Sequence, residues 1–154
     1  MYTLDKIDKR ILARLQQDGR LTNAKLADEL SLSETPCWRR VKKLEEAGVI
    51  EGYQARLNRQ SLGFGVVAFV QLTYIAHDEE TTYAFEQVIR HCDYVLSCHN
   101  TTGEADFLLH VVARDLDDYS KFVDSVLRKL KGVSSIRSSI SLKEVKGSSQ
   151  LPVV

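Results

Sequence analysis

The chain has 154 residues, 44% of them hydrophobic and 27% charged, with 21 Lys and Arg balancing 21 Asp and Glu. That is a globular composition, enough for one ordinary domain or two small ones; no run approaches the ~18 apolar residues of a membrane span, and Met1–Lys6 has no charged-then-apolar leader, so a cytoplasmic protein is expected. Cys37, Cys92 and Cys98 are too few and too scattered for a disulfide scaffold and fit a reducing compartment.

The neutral total hides an asymmetry. Residues 1–60 carry 12 Lys and Arg against 9 Asp and Glu, and residues 61–154 carry 9 against 12. A basic head on an acidic body suits an N-terminal module that meets nucleic acid.

The first 50 residues predict three helices. Asp5 caps the first, whose inner face is Ile7, Ile11, Leu12 and Leu15, and Asp18-Gly19 stops it. Thr22 caps a short second helix with Ala24, Leu26, Ala27 and Leu30 inward, and Ser31-Leu32-Ser33 is a tight turn with Leu32 as a plug. Ser33 caps the third, where Pro36 is tolerated in the first turn because its missing N–H has no helical acceptor. Gly48 stands where a left-handed C′ residue is wanted. Val49–Leu57 reads as a strand that tethers two domains, and 58–65 as a linker.

Beyond the linker the pattern alternates: strand Val66–Ala76, helix Glu79–His91, strand Tyr94–Thr101, turn Thr102–Asp106, strand Phe107–Ala113, helix Leu116–Leu130, strand Ile136–Val145. This βαββαβ order predicts a ferredoxin-like sheet with helices on one face. The fold class is therefore α+β, with a three-helix, winged helix-turn-helix domain at 1–57, a linker at 58–65 and a βαββαβ domain at 66–154. The first strand is apolar almost throughout, which predicts that another subunit covers the second sheet face.

The helix-turn-helix spans Asn23 to Lys42. On its third helix Cys37, Trp38, Val41 and Leu44 are expected inward. Arg39, Arg40, Lys42 and Lys43 straddle that stripe, and Ser33, Thr35 and Pro36 occupy the N-terminal turn that enters a major groove. These seven polar and turn residues are the expected DNA contacts. Arg39 and Arg40 both lie off the apolar stripe, so replacing them is expected to cost binding without unfolding.

Leu4–Leu12, Asp18–Thr22, Leu32–Glu45, Gly48–Tyr53, Gly103–Phe107, Gly132-Val133 and Lys143–Lys146 resemble, in collinear order, the Lrp/AsnC (leucine-responsive regulatory protein/asparagine-operon regulator) family. The resemblance implies a transcriptional regulator of double-stranded DNA. Its second domain would dimerise through its sheet, assemble into octamers or similar rings, and sense a small-molecule amino acid. By the same resemblance the effector lies near Thr101, Thr102, Gly103, Glu104 and Asp106. Gly103 would permit close backbone approach, Asp106 could accept from an ammonium group, and Ser138, Ser139 and Ser141 are further polar candidates.

No resident cofactor, metal site or catalytic residue is expected. Cys92 and Cys98 lack paired zinc spacing, and Cys98 and His99, adjacent on a strand, point to opposite faces and cannot form a dyad. The expected function is sequence-specific transcriptional regulation. A largely non-specific architectural DNA-binding protein with an oligomerisation domain is the alternative.

Overall fold

In the computed structural model, which describes residues 2–76 and 78–153, Asp5 opens the first helix, α1 (Lys6–Gln17), through a reciprocal cap. Its carboxylate accepts from the Ile7 and Asp8 N–H groups at 2.8 Å each, and the Asp8 carboxylate accepts from the Asp5 N–H at 3.2 Å. Thr22 caps α2 (Asn23–Leu30) by accepting from the Lys25 N–H. Ser31 then takes a left-handed conformation (φ 56°), and the Leu32 N–H closes the turn onto the Ala27 carbonyl at 2.8 Å. Ser33 precedes α3 (Glu34–Glu46) without a side-chain cap bond. Gly48 adopts φ 67° while the Val49 N–H donates to the Leu44 carbonyl, ending α3 as its sequence predicts.

The chain divides into two compact units, Met1–Arg56 with Lys146–Val154, and Leu57–Val145. Ile11, Leu26, Leu30, Cys37 and Leu44 form the fully or almost fully buried centre of the first. Its last piece is the C-terminal segment, which sequence analysis placed in the second domain. The Gln16 side-chain amide brackets Leu151, donating to its carbonyl at 3.0 Å and accepting from its N–H at 2.6 Å. Leu151, Pro152 and Val153 thereby line one wall of a cavity of about 510 Å³ opposite Leu12, Leu15, Val49 and Ile50. Val49–Leu57 was expected to be a strand. It carries no strand pairing, because an extended segment needs a neighbouring ladder to become one. Tyr53 anchors it instead, donating to the Glu45 carboxylate at 2.9 Å.

The second unit holds β1 (Val66–Tyr74), α4 (Glu79–Arg90), β2 (Val95–Asn100), β3 (Phe107–Ala113), α5 (Leu116–Ser125), a 3-10 turn at Leu127–Lys129, and β4 (Val133–Ile140). The strands form one antiparallel sheet in the order β2-β3-β1-β4. Ala68, Val70 and Leu72 of β1 and Leu109 and Val111 of β3 pack with Phe85 and Ile89 of α4 and Tyr119 and Phe122 of α5. The opposite sheet face carries Phe69 stacked on His110, centroids 5.1 Å apart, with Phe69 42% exposed. Two expected spans differ by more than two residues at an end. The long helix after Asp115 breaks at Val126 into the 3-10 turn. The last strand begins at Val133 and stops at Ile140, since its limits follow pairing with β1, whereas Leu142 and Val145 are exposed.

Candidate nucleic-acid interface and effector turn

The buried stripe of α3 is Cys37, Val41 and Leu44, spaced i, i+4, i+7. One flank of the helix is occupied. Arg40 Nη1 pairs with Asp5 Oδ2 at 2.6 Å and Asp8 Oδ1 at 2.8 Å, and the Lys43 ammonium lies over the Tyr2 ring at 5.2 Å. Asp8 is only 3% exposed, so the guanidinium neutralises a buried carboxylate. These carboxylates hold the Arg40 guanidinium even more firmly protonated than usual, with Asp5 the larger cause. The other flank is open: Thr35, Arg39 and Lys42 are exposed, and among the described residues Arg39 and Lys42 enter no ion pair. Ser33 and Pro36 are exposed at the start of the helix.

Two expectations for this helix are corrected. Trp38 does not join the inward stripe; it is 44% exposed, with the Lys42 ammonium 5.2 Å from its ring centroid. One residue beyond Cys37 is 100° further round the helix, which carries the indole out of the core. Arg40 is bound into the fold, so the pair Arg39 and Arg40 cannot be removed at no structural cost.

The β2–β3 turn is tied to itself and to β1. The Thr101 hydroxyl donates to the Ala105 carbonyl at 2.8 Å, the Thr101 N–H to the Asp106 carbonyl at 2.8 Å, and Asp106 Oδ2 accepts from the Tyr74 N–H at 2.6 Å. Gly103 has φ 118°, and a Cβ there would meet nothing within 4 Å. The exposed Glu104 carboxylate pairs with Arg137 at 3.2 Å.

Residues 4–51 match the family model for winged helix-turn-helix DNA-binding, and residues 67–151 match that for the Lrp/AsnC ligand binding domain. The chain is 39% identical over 150 residues to a leucine-responsive regulatory protein of Rhizobium meliloti (strain 1021), spanning 97% of this chain and 96% of that protein. The chain belongs to the Lrp/AsnC family of transcriptional regulators. It is also 35% identical to the DNA-binding transcriptional activator DecR of Escherichia coli (strain K12), over 97% of this chain and 99% of that one. The crystal structure of a Neisseria meningitidis transcriptional regulator in complex with L-Met has a TM-score of 0.93 and 41% identity, with 97% of each chain covered. No helix among the described residues is long and apolar enough to cross a membrane.

In this Lrp/AsnC chain the DNA-binding match contains all of α1, α2 and α3. The predicted contacts Thr35, Arg39 and Lys42 share one face of α3, while Arg40 and Lys43 turn toward the N-terminal segment. The predicted effector residues do not converge as a set. Ser138 pairs with buried Val70 in the β1–β4 ladder and accepts from Tyr119 of α5 at 2.6 Å, on the helix side. Ser139 pairs with Phe69 and belongs to the opposite face. Ser141 donates its N–H to the Val67 carbonyl. Sequence reasoning missed Arg137 beside Glu104, and Tyr74, whose N–H occupies one Asp106 oxygen. Both contacts join the turn to strands distant in the chain, where local patterning carries no signal.

Proposed function

We propose that this regulator reads double-stranded DNA through the Thr35, Arg39 and Lys42 face of α3, with Ser33 and Pro36 at the helix entry and Lys43 at its margin. A small amino acid tunes that binding through the Thr101–Asp106 turn. The observation that carries the reading is the division of α3: one side is buried, one flank carries Arg40, neutralised by Asp5 and Asp8, and Lys43, over the Tyr2 ring, and Arg39 and Lys42 lie toward the remaining open face. Arg39 and Lys42 neutralise phosphates there, and Thr35 reaches a base edge or phosphate oxygen. Arg40 positions α3 against α1.

At the turn, the open space over Gly103 and the remaining Asp106 oxygen support a ligand of amino-acid size, as does the L-Met held by the Neisseria regulator. Thr102 and Glu104 flank that space in the chain. The half-exposed Phe69 supports a homodimer formed through the outer sheet face, and higher assemblies such as octamers would add avidity. The site of action is the cytoplasm, and no catalytic role is assigned.

Selection of bound genomic fragments with purified full-length protein, with and without a panel of amino acids including L-Met, tests the reading. Enrichment of related fragments, shifted by at least one amino acid, is expected. Uniform binding that falls with salt equally for all sequences would instead support the architectural alternative.

A further inference from the structure

The inward stripe of α3 is complete without its aromatic residue: Cys37 and Leu44 are 0% exposed and Val41 is 7% exposed. Trp38 nevertheless leaves 44% of its surface to solvent, a costly position for the largest apolar side chain on the helix. The flank through Pro36, Arg40 and Lys43, with Arg39 at its edge, lies beside Tyr2, Asp5 and Asp8. The open stripe is therefore Thr35, Trp38, Arg39 and Lys42, at i, i+3, i+4 and i+7, one continuous ridge. An apolar plate beside two cations that enter no ion pair among the described residues is complementary to one feature of a DNA major groove. Phosphates flank that groove, and its floor offers a single apolar group, the C5-methyl of thymine. Lys42, held against the ring at 5.2 Å, restrains the indole and keeps a cation beside it.

We propose that Trp38 is a specificity-determining residue that packs its indole against a thymine methyl in the major groove. The inference rests on α3 being the DNA-contacting helix and adds to it a base identity. Arg39 and Lys42 supply sequence-independent attraction; Trp38 selects A·T pairs at one step of each half-site.

The test uses a duplex recovered by the genomic selection, with each thymine replaced in turn by deoxyuridine, which removes only the methyl. For the unmodified protein, one thymine per half-site should weaken binding about fourfold on substitution, the worth of one buried methyl-sized group. The same scan should be flat for Trp38→Ala, and Trp38→Phe should retain part of the sensitivity. Because Trp38 is the chain's single tryptophan, its emission should shift on addition of the duplex. Melting curves should show both variants folded. Equal methyl sensitivity in Trp38→Ala, or a flat scan with unchanged tryptophan emission in the unmodified protein, overturns the role of Trp38 while leaving the helix reading intact. Failure of the unmodified protein to prefer any selected duplex over random competitor overturns the helix reading itself, and this inference with it.

Discussion

Arg40 Nη1 lies 2.8 Å from Oδ1 of Asp8, the one buried charged side chain among the described residues. The pair joins α3 to the cap of α1, so the orientation of α3 depends on a contact 32 residues apart in the chain. Arg40→Ala would leave Asp8 with the Asp5 N–H as its remaining partner. The expected loss is about 1–3 kcal/mol, the range for stranding a buried polar group. Arg39→Ala should change stability by less than about 0.5 kcal/mol, as exposed substitutions do. Urea unfolding of the two single variants separates them, and equal midpoints would remove the structural role given to Arg40.

Acid should weaken the fold in a defined window. The Asp5 carboxyl lies below its usual 3.8, chiefly because the Asp8 N–H donates to it and then because Arg40 lies against it. Asp78 is lowered by the Thr81 N–H and Asp118 by the Arg114 N–H. A carboxyl whose folded pKa is depressed contributes stability that is present above its unfolded value and is lost as pH falls through its folded value. Urea midpoints should therefore be flat from neutrality to about pH 5 and fall below about pH 4. Asp78→Asn should lower the plateau and make the acid fall shallower. A midpoint that rises on acidification would contradict these assignments.

The C-terminal segment should stabilise the DNA-binding unit. Removing residues from Ser148 onward deletes both hydrogen bonds between Gln16 and Leu151 and the apolar cover supplied by Val153. A loss of about 1–3 kcal/mol is expected from two hydrogen bonds and partial apolar burial. Tryptophan emission during thermal unfolding reports it, since Trp38 lies in this unit. Gln16→Ala should reproduce part of the loss, and an unchanged melt for both would show that the segment contributes nothing.

Two glycines separate backbone strain from crowding. Gly103 has φ 118° with open space around a built Cβ, so Gly103→Ala should cost strain alone, about 1–3 kcal/mol. Gly132 has φ 84° and a Cβ there would lie 2.5 Å from the Tyr74 ring and 2.8 Å from Ala76 Cβ, so Gly132→Ala adds a steric conflict. Thermal denaturation should rank Gly132→Ala as the more damaging. The reverse order would mean that Tyr74 moves aside freely.

Local patterning made much of this molecule legible. The caps at Asp5 and Thr22, the left-handed Gly48 and the span of β3 all follow from short-range rules, and so does the βαββαβ order. What it misjudged depends on distant partners. Trp38 reads as core from its helical spacing with Val41, although one step beyond Cys37 is enough to turn it outward. The role of Arg40 in tying α3 to the start of α1 is not legible because its carboxylate partners, Asp5 and Asp8, lie 32 or more residues away in the chain. The limits of β4 are set by Val133 opposite Tyr74 and Ile140 opposite Ala68, not by its serine-rich sequence. The docking of Leu151 on Gln16 needs residues 135 apart, and no window of the sequence contains both.

The proposed function requires that the open face of α3 meet the phosphates of double-stranded DNA. Its most direct test is the salt dependence of binding to a selected duplex, comparing the unmodified protein with Arg39→Ala/Lys42→Ala. Each lost phosphate contact lowers the slope of log affinity against log salt by about 0.9. The double variant should bind more weakly at every salt concentration, with a slope shallower by about 2 per DNA-bound protomer and an unchanged melting curve. An unchanged affinity and slope would contradict the assignment of this face to DNA.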